Sequence, residues 1–272
     1  MRLDLHIHST ASDGAWAPQA VVRGAARGGL DVIALSDHDT TAGYAAAAAA
    51  AREVDVQVIP ALEVSSTHVG RDVHVLGYFV DPEAPAIRAH STRAMSRREE
   101  RMREMLVKLA TQGVELEYAA VEKAAGPGPV VIGRPHLARA LVAAGRANSI
   151  QDAFNRFIGD QSPCFVPTHL LGPVAAVEVV LAGGGVPVWA HPPADLMDAL
   201  LPSLVDAGLR GLEVYRPKHQ RADVLRLEEA CRAHGLLMSG GSDWHTPDTG
   251  VSLGDFYVSG DEVEGLLTAG GI

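Results

Sequence analysis

His6 and His8 stand one residue apart in the opening run Leu3-Asp4-Leu5-His6-Ile7-His8-Ser9-Thr10. Side chains alternate across a strand, so residues two apart point the same way, and two imidazoles so placed can grip one metal ion. Asp13 follows within Ser12-Asp13-Gly14, Asp37-His38-Asp39 comes a strand and a helix later, and Asp243-Trp244-His245 lies near the end of the chain. Taken singly, each group has a plain structural use. A His in an apolar strand is often a packed core residue, and Asp37 could cap a following helix. Their shared position argues otherwise: each closes a short apolar run, at residues 1–5, 32–35 and 236–239. Ligand types at successive strand ends indicate a hydrolytic metal centre.

The elements that must position these residues alternate. A strand over 2–5 is followed by a helix over 18–27, a strand over 32–36, a helix over 41–52 and a strand over 57–62. His74 lies in a further strand, 72–76. The pattern resumes with helix 173–182, strand 186–190, helix 196–207, strand 211–214, helix 221–234 and strand 236–239, the order expected of a parallel sheet. Between the halves, 82–168 reads as helical. Residues 87–112 carry Met95, Met102, Met105, Leu106 and Leu109 as an apolar stripe, with Arg93, Arg97, Arg98, Arg101 and Arg103 expected largely on the solvated surface. Gly126-Pro127-Gly128-Pro129 breaks the chain before a helix over 134–143. We therefore expect a βα barrel of residues 1–81 and 169–272, with 82–168 as a helical insertion over its mouth. In such a barrel functional groups sit where the strands end, which gathers His6, His8, His38, Glu63, His191, Asp243 and His245 at one rim.

Composition narrows the partners. The chain has 272 residues, 47% of them hydrophobic, and a net charge of −10. That size and apolar content suit an enzyme with a buried core, and the charge argues against coating long nucleic acid or an anionic membrane. Cys164 and Cys231 show no paired spacing and read as reduced thiols of a cytoplasmic protein. The start shows no secretory apolar stretch, and the alanine run 45–51 is too short to cross a bilayer.

The motifs His6-Ile7-His8, Ser12-Asp13-Gly14, Asp37-His38, Glu63, His74, Ala190-His191-Pro192 and Ser242-Asp243-Trp244-His245 together resemble those of the polymerase and histidinol phosphatase (PHP) superfamily. The resemblance covers nearly the whole chain apart from the insertion. It implies a distorted seven-stranded βα barrel holding a trinuclear centre. One ion would be bound by His6, His8, Glu63 and Asp243, a second by Glu63, His74 and His191, and a third by Asp13, His38 and His245. Three divalent ions carry about +6 while the carboxylates return about −3, leaving a positive pocket suited to phosphate. Ions roughly 3.5–4 Å apart can share a hydroxide nucleophile at neutral pH. Imidazole-rich ligands suit zinc, iron or manganese; the resemblance favours manganese.

Substrate choice is expected in the insertion and the late loops. Arg134 and His136, in Gly133-Arg134-Pro135-His136, open a helix where phosphate can bind, and His219 lies beyond another strand end. The insertion resembles that of PHP enzymes acting on nucleoside 3',5'-bisphosphates, and of those related to a 5'-to-3' exonuclease of short RNA. Removal of the 3'-phosphate to give a nucleoside 5'-monophosphate is the expected reaction. Short oligonucleotides are the alternative substrate, and a metal-stabilised module without turnover is a second alternative.

Overall fold

The computed structural model of the chain describes residues 1–127 and 130–272, so Gly128 and Pro129 of the expected break lie outside the described residues. Strands β1 (Arg2–Ile7), β2 (Val32–Leu35) and β3 (Gln57–His68) run parallel, joined through helices α1 (Pro18–Arg27) and α2 (Tyr44–Ala51). The next strand, β4 (Arg71–Tyr78), reverses direction, because the turn Val69-Gly70 is far too short for a crossover. Val69 at φ 48° and Gly70 at φ 77° supply the left-handed geometry such a hairpin needs. The expectation of a uniformly parallel order fails here. Residue type marks 72–76 as strand, but direction is set by the connection.

After β4 the chain leaves the sheet for α3 (Pro85–Thr111), α4 (Tyr118–Ala125), α5 (Arg134–Ala143) and α6 (Ile150–Ala153), which runs into a π-helical turn, Phe154–Ile158. It returns through α7 (Pro173–Ala182), β5 (Val186–Trp189), α8 (Met197–Asp206), β6 (Gly211–Tyr215), α9 (Arg221–His234), β7 (Leu237–Gly240), β8 (Val258–Ser259) and α10 (Glu264–Ala269). The strand order is β7-β6-β5-β4-β3-β2-β1-β8. Pairing is antiparallel at β4–β5 and β1–β8 and parallel along β5–β6–β7. Ser242 laces the open seam: its N–H and hydroxyl donate to the Asp4 carboxylate at 2.8 and 2.6 Å. The His8 N–H donates to the Trp244 carbonyl at 2.9 Å, so the sheet curls into a nearly closed α/β barrel. Its eighth strand, the two-residue β8, goes beyond the seven expected.

Columns of inward side chains place the site. On β3, Ile59 and Ala61 enter the interior apolar cluster, while Leu62 and Val64 pack in the layer beneath the helices, so alternation turns Glu63 inward. On β4, Tyr78 and Leu76 are interior and Val75 and Val73 outer, which turns His74 inward. Glu63 therefore does not end its strand, since β3 continues to His68, and His74 arrives from the amino-terminal half of an antiparallel strand. The pairing Ser65 with His74 brings both to one level. On β1 strict alternation is broken by a register slip between Asp4 and Ile7. Leu3 and Leu5 pack inside, Ile7 packs outside, and the slip frees His6 and His8 to share the mouth.

The insertion helices build an apolar cluster of their own from Met102, Met105, Leu109, Leu137, Leu141 and Ile158, among others. Helix α3 ties this cluster to the barrel, because Ile87 packs in the barrel's outer layer. Met95, expected in the stripe, is 41% exposed. Arg98 and Arg101, expected on the surface, are buried to 5% and 4% exposure, since α3 crosses the barrel mouth with that face down. Among the described residues no helix is long and apolar enough to cross a membrane.

At the start of α5 the ring of His136 accepts a hydrogen bond at Nδ1 from the Gly133 N–H, 2.9 Å away, and is bonded on its other side to the Ser12 backbone. Burial pushes its imidazole down to about 4, and a proton at Nδ1 would also oppose the Gly133 N–H. The unfolded chain takes that proton near the ordinary value of 6.5. Between these values the unfolded state binds more protons, so stability falls as pH falls, by roughly 3 kcal/mol across the window. His136→Gln keeps an acceptor suited to this position. Unfolding midpoints measured from pH 7 to pH 4 are expected to drop less for the variant than for the native chain; equal drops would contradict this assignment.

Candidate metal centre

The side chains of His6, His8, Asp13, His38, Glu63, His74, His191, Asp243 and His245 converge at the barrel mouth. Donor atoms of eight of them fall into three groups, each within 4.8 Å: His8, Asp13, His38 and His245; His6, His8 and Asp243; His38, Glu63 and His74. His191 joins none of these groups and reaches the cluster through Glu63. Glu63 is central. Its Oε2 lies 3.4 Å from Nε2 of both His6 and His8, and its Oε1 lies 2.9 Å from His74 Nδ1 and 3.0 Å from His191 Nε2. Asp243 Oδ1 faces the same two imidazoles, at 3.5 Å from His6 and 3.3 Å from His8. Asp13 Oδ1 is 3.4 Å from His245 Nε2, and the His8 and His245 rings stack at 4.0 Å.

This arrangement does not satisfy itself. Nε2 of His6 and both ring nitrogens of His8 are buried with no hydrogen-bond partner, although buried polar atoms in folded proteins are nearly always paired. Burial alone would raise the carboxyls of Asp13, Glu63 and Asp243, yet the imidazoles facing them hold all three well below the ordinary carboxylate range. Burial pushes His38 down to about 3, while Asp13 lifts His245 to about 9 against its own burial. Anionic oxygens and orphaned nitrogens aimed at common points form a donor set that fits divalent cations.

Supports fix that aim. Glu213, fully buried, meets His6 Nδ1 at 2.8 Å and so turns the other ring nitrogen to the cluster. Its second oxygen accepts the His191 N–H at 2.7 Å and lies 3.4 Å from Arg216 Nε, while Arg216 donates to Asp243 Oδ2 at 2.8 Å. His191 and Asp243 hold positive φ, 32° and 56°, strained for non-glycine residues, and these contacts hold them there. Asp37 accepts from the Ser9 N–H, the Ser9 hydroxyl and the Ser12 hydroxyl at 2.8, 2.7 and 2.6 Å, pinning the turn that presents Asp13. Gly241 has no room for a side chain, since a methyl there would strike the backbone of His6.

Above the cluster, Asp13, His38 and His74 share a cavity of about 130 Å³ with Arg98, Arg101 and Arg134. Arg98 donates to Asp39 Oδ2 at 2.8 Å and to the Ser65 hydroxyl at 2.6 Å, and His90 meets the other Asp39 oxygen at 2.9 Å. Arg101 Nη2 is buried without a hydrogen-bond partner and lies 3.7 Å from Asp72. Arg134 pairs with Asp160 at 2.5 Å and lies over Phe165 at 5.1 Å. His136 and His219 do not line this cavity. His136 closes its own helix, and His219 donates to the Val214 carbonyl at 2.7 Å. Sequence reasoning put Arg98 and Arg101 on the surface, and in the run 213–219 beyond a strand end it favoured His219 over Glu213 and Arg216. A charged residue at an inward strand position, as Glu213 is, was the available signal.

The profile of the PHP domain matches residues 4–131. A 3',5'-nucleoside bisphosphate phosphatase from Chromobacterium violaceum is 33% identical over 253 residues, covering 91% of this chain and 88% of that protein. The chain belongs to the PHP family. Other relatives bear other activities in their names: a 5'-3' exoribonuclease from Haemophilus influenzae is 34% identical, covering 93% of both chains. A phosphoribosyl 1,2-cyclic phosphate 1,2-diphosphodiesterase from Eggerthella lenta is 35% identical, covering 89% of this chain and 93% of its own. A solved structure from Bifidobacterium adolescentis, assigned as a metal-dependent phosphoesterase, superposes with a TM-score of 0.88 at 31% identity, over 98% of this chain and 95% of that one. This PHP chain is accordingly a metal-dependent phosphoesterase.

Loss of the Glu213 carboxylate is expected to loosen metal without unfolding the barrel. Equilibrium dialysis with Mn²⁺ should find Glu213→Gln binding about 10–100-fold more weakly than the native chain. Unchanged affinity would remove Glu213 from the site's support.

Proposed function

We propose that the chain removes the 3'-phosphate of nucleoside 3',5'-bisphosphates to give nucleoside 5'-monophosphates. The cofactors would be three divalent ions, Mn²⁺ favoured and Zn²⁺ or Fe²⁺ as alternatives, held by the nine converging ligands. When bound, such ions activate water as a nucleophile and neutralise charge on phosphoryl oxygens.

The arginine cavity carries this reading. It opens on the cluster through Asp13, His38 and His74, yet its cations come from the insertion, which makes it a second anion receptor beside the first. A substrate with two phosphates uses both receptors; a simple monoester uses one. Arg101 Nη2 supplies a buried donor that makes no hydrogen bond in the protein, and the planar fork of arginine suits phosphate oxygens. Asp72 and Asp160 hold the guanidinium of Arg134 at the cavity wall. The exoribonuclease relatives support a second reading, in which the same receptors take the 5'-phosphate and first linkage of a short oligonucleotide.

One experiment separates them. The Mn²⁺-loaded chain is offered a nucleoside 3',5'-bisphosphate, a 5'-phosphorylated oligoribonucleotide and a generic phosphomonoester, and kcat/KM is compared. The bisphosphate is expected to lead. Arg134→Ala should lower kcat/KM for the bisphosphate by about tenfold or more, the worth of one charge-assisted hydrogen bond, and for the generic monoester far less. Equal losses on both would remove the two-receptor argument, and preference for the oligomer would install the second reading.

A further inference from the structure

The ligand cluster opens into a second cavity that shares no lining residue with the arginine cavity. This one, of about 230 Å³, reaches the cluster through Asp243 and His245 and lies between the loop after β6 and the segment after β7. Its lining is of a different kind. Pro217, Val251 and Trp244 give it apolar walls, and Arg216 and Lys218 stand at its edge. The walls are preformed. Trp244 donates through Nε1 to the Val251 carbonyl at 2.9 Å and packs edge-on against Trp16, with ring centres 4.9 Å apart. Arg216 is already committed to Asp243 and Glu213. Lys218 is exposed and makes no hydrogen bond or ion pair with any described residue.

We propose that this cavity seats the nucleobase, so that substrate lies across the cluster with its base beside Trp244 and Val251 and its second phosphate under the α3 and α5 arginines. The inference rests on the bisphosphate reading and adds an orientation and a base-recognition element to it. Three observations support a base here over a phosphate. First, the walls are largely apolar where the other cavity is lined by arginines, and a base presents flat faces that such walls cover. Second, the volume lies below the roughly 300–1,000 Å³ typical of sites for whole drug-sized ligands, which suits one ring system with its remainder outside. Third, the exposed ammonium of Lys218 offers rotatable donors to ring nitrogens or carbonyls on a base edge, with no ion pair to break first. The two cavities enter the cluster through different ligands, so a ribose above the cluster can direct its base one way and its second phosphate the other.

Val251→Trp fills the cavity, and Lys218→Ala removes the exposed ammonium. Each variant and the native chain are assayed with Mn²⁺ on a nucleoside 3',5'-bisphosphate and on the base-free ribose 3,5-bisphosphate. Binding of a nucleoside 5'-monophosphate is measured by calorimetry in parallel. The native chain is expected to prefer the base-bearing compound in kcat/KM by about tenfold or more, the usual worth of one stacked base. Val251→Trp should cut that preference severalfold and weaken the nucleotide in calorimetry to a similar degree, and Lys218→Ala should do the same to a smaller extent. A native chain that treats both compounds alike, or variants that keep full preference and full nucleotide affinity, overturns the proposal. Should Val251→Trp fail to fold, Lys218→Ala decides. Absence of turnover on both compounds would instead remove the bisphosphate reading, and nucleotide affinity would still decide the role of the cavity.

Discussion

Nine imidazole and carboxylate groups crowd one end of a barrel, His6, His8, Asp13 and Glu63 among them buried, and the protein supplies the innermost with too few partners. Buried charge is costly, and a buried polar atom without a partner forfeits its hydration with nothing in return. His6 and His8 leave ring nitrogens unpaired in the tightest part of the cluster, while Glu63 and Asp243 hold anionic oxygens 3.3–3.5 Å away from them. Cations between these groups would satisfy both sides at once. Much of the surrounding structure bears on that need: the slip in β1 that turns both histidines to the mouth, the Glu213 and Asp37 carboxylates that fix ligand orientation, and the lacing of Ser242 to Asp4 that brings the Asp243 loop against β1.

Helix α3 joins the metal site to substrate choice. Its first turns pack on the barrel through Ile87, its middle lowers Arg98 and Arg101 into the mouth, and its last turns build the insertion core through Met102, Met105 and Leu109. Asp39, one residue beyond the candidate ligand His38, is bound to both His90 and Arg98 of this helix, so the arginine cavity and the His38 loop share one buried network. Changing the insertion would alter which anion is received while leaving the cluster's supports on the strands. Relatives of about one-third identity that act on a bisphosphate, on RNA and on a cyclic phosphate fit such a division of labour.

Much of this was legible from residue order. Alternation within strands and the βα rhythm suffice to place most of the candidate ligands at one rim, because both are local rules acting on residues close in sequence. Direction and depth were not legible. The reversal of β4 depends on a two-residue turn that must hold Val69 at positive φ, an unfavourable residue for that conformation, so nothing in its composition announced it. The arginines of α3 read as solvated because charge periodicity cannot reveal that a helix lies across a polar cavity. Glu213 was overlooked in favour of His219 for a related reason. Alternation with the outer-layer residues Leu212 and Val214 turns that carboxylate inward, while the histidine beyond the strand turns back to its own backbone.

Everything rests on cations occupying the cluster. The most direct measurement is anomalous scattering from crystals of the chain saturated with Mn²⁺, backed by elemental analysis in solution. Three peaks within the cage of His6, His8, Asp13, His38, Glu63, His74, His191, Asp243 and His245 are predicted. A cage that stays empty under saturating Mn²⁺, Zn²⁺ and Fe²⁺ would contradict the account.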